Sequence, residues 1–313
     1  MCIRDRCYAS CPQIDELAAE TKLSVGWIAP MGRVTDIRIA RATDPAIRSS
    51  ATDGGAVTAL LVDLFLRGQI DVAVVARPVG PFRRESFLAA TEDDIRSAAG
   101  FFFDTAYGMQ SVSDYYSTFS RIAEFNPLLS KGFHRVAFVG TPCQIQAIRK
   151  MQTLSIYPSD SIKVCLGLFC SGNFNFGDKE RKKIAQIGGF QWENVKKINI
   201  KEDLLVHLEK GGVVSVLLDD LKFLKRHACN FCADFSAEYA DISFGGLGAD
   251  EGWTTVIARS PIGAKILSDS KGTAIEENRP KPYSDLPNQA LKKVRLWSDK
   301  KKKAALANRK RIV

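Results

Sequence analysis

Eight cysteines stand along the 313 residues: Cys2, Cys7, Cys11, Cys143, Cys165, Cys170, Cys229 and Cys232. Cys229 and Cys232 form "CNFC", a spacing that lets two thiolates converge on one ion or on one cluster edge. A zinc ribbon needs a second close pair, and none follows residue 11. His227 is a conceivable zinc ligand, but a lone histidine beside a loop is expected in solvent. Cys143, in "VGTPCQIQAI", sits where an apolar run ends and a helical pattern begins. Cys170 closes a second apolar run, "IKVCLGLFC". Strands of a parallel sheet end on a common edge, so both sulfurs are expected at one rim. A helix start favours the thiolate form of Cys143. Scattered thiolates gathered by a fold suit a [4Fe-4S] cluster better than zinc. Cys165, inside its apolar run, reads as core.

Cys7 and Cys11 lie in "CYASCP", the C-x3-C-P closing half of a bacterial ferredoxin run. They are read as the remnant of a second cluster site in a chain clipped at its start. The hexapeptide "MCIRDR" before them resembles translated adapter sequence, and nothing is inferred from it. Two other chemistries stay open at this level. One is a zinc-stabilised binding module whose basic end contacts nucleic acid. The other is a thiol enzyme with Cys143 as nucleophile.

"SSATDGGAVTALL" places Thr52, Asp53, Gly54, Gly55 and Thr58 at the start of a helix. Free N–H groups there bind phosphate, and glycines let a ligand approach the backbone. The stretch is neither a dinucleotide fingerprint nor a P-loop. No serine–histidine–acid arrangement stands out.

These residues must be held by elements that the hydrophobic pattern outlines. Residues 51–68 read as a helix, as do those near 92–99, 110–123, 144–151 and 180–188. Runs at 34–40, 70–76, 135–140, 162–170, 240–246 and 253–259 read as strands. Residues 195–220 alternate like antiparallel strands, with "KGG" as a hairpin turn. The expected fold is α/β, a mixed or mainly parallel sheet core with helices, followed by an α+β C-terminal part. Residues 1–45 are expected to be a ferredoxin-like remnant and linker, 46–285 the cofactor-binding domain, and 286–313 a basic tail.

Residues 291–313 hold ten Lys/Arg against one acid, Asp299, and so account for the whole net charge of +9. A run such as Lys300 to Lys303 usually marks a solvated tail or helix face, so a nucleic-acid partner is not expected. No apolar stretch approaches a membrane span and no export signal is evident, so a cytoplasmic location is expected, without membrane anchorage.

Taken in order, "RSSATDGGAVTALLVDLFLRGQIDVAVV", "HRVAFVGTPCQIQAIRKM", "VCLGLFCSG" and "HACNFCADFSAEYADISFGGLGADEGWTTVIARSPIGAKIL" resemble the coenzyme F420 hydrogenase/dehydrogenase beta subunit family, over roughly residues 7–270. The resemblance implies an oxidoreductase subunit that binds FAD and a [4Fe-4S] cluster. It would pass electrons between a deazaflavin or similar two-electron carrier and a partner subunit. It makes Cys143, Cys170, Cys229 and Cys232 cluster ligands. It also places Thr52 to Gly55 and Thr58, with Gly140, Thr141, Pro142 and Gln144, near the flavin. An upstream ferredoxin module is common in the family, which fits a second cluster in the intact protein. Two departures stand out. Asp53 replaces the usual serine, and Gly100-Phe101-Phe102-Phe103 replaces a Gly-Ser-Lys-Tyr-like stretch, removing a lysine anchor for an anionic carrier.

Overall fold

The apolar runs that lack alternation are strands covered on both faces, as a parallel sheet requires. The computed structural model describes residues 8–80, 83–100, 132–175, 177–278 and 285–311. The strands are β1 (Asp36–Ala42), β2 (Val72–Gly80), β3 (Arg83–Ala89), β4 (Val136–Gly140), β5 (Ile162–Leu168), β6 (Val195–Ile200), β7 (Leu204–Leu208), β8 (Val213–Val216), β9 (Ile242–Gly245), β10 (Thr254–Ala258) and β11 (Ile275–Glu277). The helices are α1 (Ala18–Ser24), α2 (Pro45–Ser50), α3 (Ala56–Leu66), α4 (Glu92–Ser97), α5 (Pro142–Thr153), α6 (Asp178–Gly188), α7 (Pro261–Asp269) and α8 (Leu286–Arg309).

An eight-stranded mixed sheet runs in the order β11-β1-β10-β9-β5-β4-β2-β3. Strands β9, β5, β4 and β2 are mutually parallel, while antiparallel pairs flank them on either side. Alternate residues of β2 and β4 feed two cores. Ala73, Val75, Ala137 and Val139 pack with Leu60 and Leu64 of α3. Val72, Val74, Val136 and Phe138 pack with Ile145, Ile148 and Met151 of α5. Cys165 is fully buried in this second core, as expected of a packing residue.

A smaller antiparallel sheet, β6-β7-β8, is inserted with α6 between β5 and β9 and has its own core around Ile184, Val206 and Leu224. This is the α+β part of the later chain. Close packing marks the junction: a Cβ on Gly167 in β5 would lie 2.3 Å from the Ala237 Cβ. The methyl groups of Ala237 and Ala240, in the segment after "CNFC", therefore press directly on the strand that leads to Cys170.

Two expected boundaries are corrected. Residues 36–42, assigned to a linker, form β1 inside the main sheet, because both edges of that strand find partners in β10 and β11. Residues 286–309, assigned to a tail, form the helix α8. Its Ala290, Val294, Ser298 and Ala305 are buried, and Val294 packs with Met31, Phe235, Leu247 and Ile257. The expected helix near 110–123 lies outside the described residues. Among those residues, no helix is long and apolar enough to cross a membrane.

Candidate functional site

The turns that follow β4 and β5 share one rim, because these strands pair in parallel with Gly140 opposite Gly167. Cys143 is the second residue of α5, after Pro142 at the first helical position. That helix start is built by its own residues. The Gln144 side-chain oxygen accepts from the Thr141 backbone N–H at 2.9 Å and lies 3.1 Å from the Thr141 hydroxyl. Thr141 Oγ1 is also 3.3 Å from Cys143 Sγ. Gln144, Pro142 and Gly140 thus shape the turn that presents Cys143, as in a capping box.

Cys170 follows β5, its N–H bonded to the Phe235 carbonyl at 2.8 Å. Cys229 lies in a one-turn 3-10 helix, His227–Phe231, and Cys232 caps that helix. Cys229 Sγ accepts from the Asn173 N–H at 3.2 Å, so the pair is tied to the loop after Cys170. Cys143 and Cys170 fall within electrostatic reach of each other and of Cys229 and Cys232. Burial, then Cys232 and Cys229, pushes Cys143 up to about 11. Burial, then Cys143, Cys229 and Cys232, pushes Cys170 up to about 12. At Cys143 desolvation outweighs the helix start, opposite to the sequence expectation. A nucleophile needs the reverse shift, which counts against a thiol enzyme.

Among the described residues, no group of three or more His, Cys, Asp or Glu closes on a point that would hold a single metal ion. His227 is exposed, its ring tilted against that of Phe231 with centroids 5.1 Å apart. Cys11 sits elsewhere, its carbonyl accepting from the buried Lys150 at 2.8 Å, and Cys7 lies outside the described residues.

Beside the thiols, at the carboxyl ends of the parallel strands, opens a cleft of about 290 Å³. This is where open α/β sheets place ligands. Thr52, Asp53, Gly55, Thr58, Thr141 and Cys170 all line it. Gly55 is the N-cap of α3 at φ +73°, and no side chain caps that helix start. Its N–H groups therefore remain available to a ligand in the cleft. Gly54 is not among the lining residues; its N–H donates to Thr254 Oγ1 at 3.0 Å and its carbonyl accepts from the Ala42 N–H at 2.7 Å. Asp53 accepts from the Asn199 side chain at 2.8 Å. Burial pushes its carboxyl pKa up, against Asn199, Lys201 and Lys197, which pull it down.

Several lining residues were not singled out from sequence. Asn199 and Lys201 come from the inserted sheet, and Phe235 and Trp297 close another wall. Only tertiary packing brings them here, and no local motif announces them. Of the departing stretch, Gly100 lines the cleft, whereas residues 101–103 lie outside the described residues.

Comparison with known proteins bears on the fold and the family. The model for the coenzyme F420 hydrogenase/dehydrogenase beta subunit N-terminus matches residues 37–112, and that for the C-terminus matches 133–282. Coenzyme F420 hydrogenase subunit beta of Methanothermobacter thermautotrophicus is 33% identical over 260 residues, covering 80% of this chain and 86% of that protein. Its namesake in Methanosarcina barkeri is 31% identical over 272 residues, covering 84% and 89%. A chain in the solved F420-reducing [NiFe] hydrogenase complex from Methanosarcina barkeri superposes with a TM-score of 0.71 at 29% identity, covering 86% of this chain and 92% of that one. Fold and relatives thus define an α/β protein of an oxidoreductase class. More particularly, the chain belongs to the coenzyme F420 hydrogenase/dehydrogenase beta subunit family.

Proposed function

We propose that this subunit moves electrons between reduced coenzyme F420 and a partner oxidoreductase subunit, using FAD in the cleft and a [4Fe-4S] cluster on Cys143, Cys170, Cys229 and Cys232. One observation carries the reading: Cys170 lines the cleft and also belongs to the group of interacting thiols. A ligand in the cleft would therefore lie against a residue that holds the metal.

The donor sets fit these groups. Four thiols on three separate loops can each take one corner of a cluster. The uncapped start of α3, with Thr52 and Thr58 beside it, offers N–H and hydroxyl donors to a phosphate. Phe169, Phe174, Phe235 and Trp297 supply apolar wall for a ring system. When bound, a flavin can take a hydride from a two-electron carrier and release single electrons, which a cluster accepts. The chain's own part is to bind, to orient and to keep the thiols beside the cleft. The inserted sheet contributes Lys201 to the cleft, a cation for an anionic ligand where the Gly-Ser-Lys-Tyr-like lysine is missing. Cys7 and Cys11, spaced as in the closing half of a ferredoxin run, are assigned to a second cluster site. Residues 46–285 act as the cofactor-binding unit, extended by β1 and α8.

The test is anaerobic mixing of the flavin-loaded protein with reduced F420, NADH or reduced ferredoxin. Bleaching of the flavin by reduced F420 is the expected result, and bleaching by NADH alone contradicts the choice of carrier. Thr58→Glu is expected to weaken FAD binding roughly tenfold or more, because an acid in the first turn of α3 would engage the free N–H groups and repel phosphate. Fluorescence titration of the apoprotein measures it, and unchanged affinity would move the phosphates away from this helix.

A further inference from the structure

The lysine run near the end of the chain is divided by direction. Lys300 is exposed and lies over the Trp297 ring, 5.4 Å from its centroid. Lys302 pairs with Glu238 at 2.7 Å. Lys301 continues the buried stripe of α8 that passes through Ala290, Val294, Ser298 and Ala305. Its Nζ donates to the Cys170 carbonyl at 2.6 Å and to the Asp234 carbonyl at 2.8 Å. One ammonium group thus joins the loop that carries Cys170 to the segment immediately after Cys232.

The ammonium thus sits on the same two segments that carry Cys170 and Cys232.

We propose that Lys301 is a positioning residue of the thiol site. It braces the two thiol-bearing loops against each other and supplies a fixed positive charge that holds up the reduction potential of the cluster they would carry. The proposal rests on the cluster reading above. A cluster held by four thiolates is negative overall and becomes more so when it gains an electron. A nearby cation therefore stabilises the reduced form more than the oxidised one. An upward shift makes the cluster a better acceptor from the flavin.

The experiment is an EPR-monitored redox titration of the wild type, Lys301→Gln, Lys301→Arg and Lys300→Gln, each loaded with iron and sulfide. Glutamine removes the charge and keeps an N–H donor group on a stem one bond shorter. At the wild-type midpoint, Lys301→Gln is expected to shift the oxidised-to-reduced ratio at least tenfold toward oxidised, about 59 mV lower for a one-electron couple. Lys301→Arg and Lys300→Gln are expected to stay within about twofold of wild type. An iron-loaded Lys301→Gln protein with an unmoved midpoint overturns the proposal and leaves the cluster reading intact. Lys301→Met, which keeps the stem without a donor, serves as a second charge-removing variant. If both charge-removing variants fail to fold while Lys301→Arg folds, the lysine is a structural strut and its potential-setting role is overturned. A wild-type protein that takes up no iron overturns the cluster reading, and this proposal with it.

Discussion

Cys229→Ala is expected to strip the protein of its iron while leaving the flavin in place. Cys229 is in the group of interacting thiols but does not line the cleft, so the two cofactors separate at this residue. Its sulfur holds the Asn173 N–H, and alanine would free that loop as well as remove one corner of the thiol set. Residues that merely support a metal ligand typically cost 10–100-fold in metal affinity or activity when lost. Removal of a ligand itself is expected to slow electron delivery to a one-electron acceptor by about 100-fold or more. Reduced F420 should still bleach the bound flavin. Cys165→Ala is the matched control, since Cys165 is fully buried in the second core and is expected to leave iron content unchanged. Iron and sulfide assays with visible spectra read both variants. Iron retained in Cys229→Ala, or lost in Cys165→Ala, would contradict the ligand assignment.

The second large effect lies outside the site but supports it. Arg259, 2% exposed, donates to Ser243 Oγ at 2.6 Å, to the carbonyls of Met31 and Arg33 at 2.8 and 3.1 Å, and to the Ser236 carbonyl and hydroxyl at 3.0 and 2.9 Å. Its guanidinium fan thereby fastens the entry segment, the end of β10 and the segment after Cys232 to one another. Asp234 and Glu238 supply compensating negative charge against the cost of burying it. Arg259→Leu would fill part of the volume but leave those acceptors without donors and remove one of the cations near Asp234. Losing one partner of a buried charged network costs about 3–5 kcal/mol. A fall of that size in unfolding free energy, read by urea denaturation, is the expected result. A change below about 1 kcal/mol would mean that water reaches the acceptors, and the fan would then not be a clamp.

The parts of this protein that were legible in the sequence are those set by local pattern. Apolar runs at 70–76 and 135–140 became β2 and β4, and the Gly-Thr-Pro-Cys turn sits at the end of a parallel strand. The inserted β6-β7-β8 sheet was visible in alternation and in its "KGG" turn. What stayed hidden depends on long-range pairing. β1 reads like any isolated strand until β10 and β11 claim its two edges. The stripe of Ala290, Val294, Ser298 and Ala305 is mostly small or polar, so its hydrophobic signal is weak beneath the lysines around it. Charge composition described the outer face of α8 and concealed Lys301 on the inner one. The sign of the Cys143 shift was missed for a related reason. A helix start is a local feature, whereas desolvation comes from the whole fold.

The most direct test of the account is to purify the full chain anaerobically, reconstitute it with iron, sulfide and FAD, and add reduced F420 while recording visible and EPR spectra. The account predicts about four irons per chain from this thiol set. It also predicts a flavin that bleaches and a cluster EPR signal that appears from the same reductant. A reconstituted protein that binds flavin but no iron, or whose iron stays oxidised after its flavin is reduced, would contradict it.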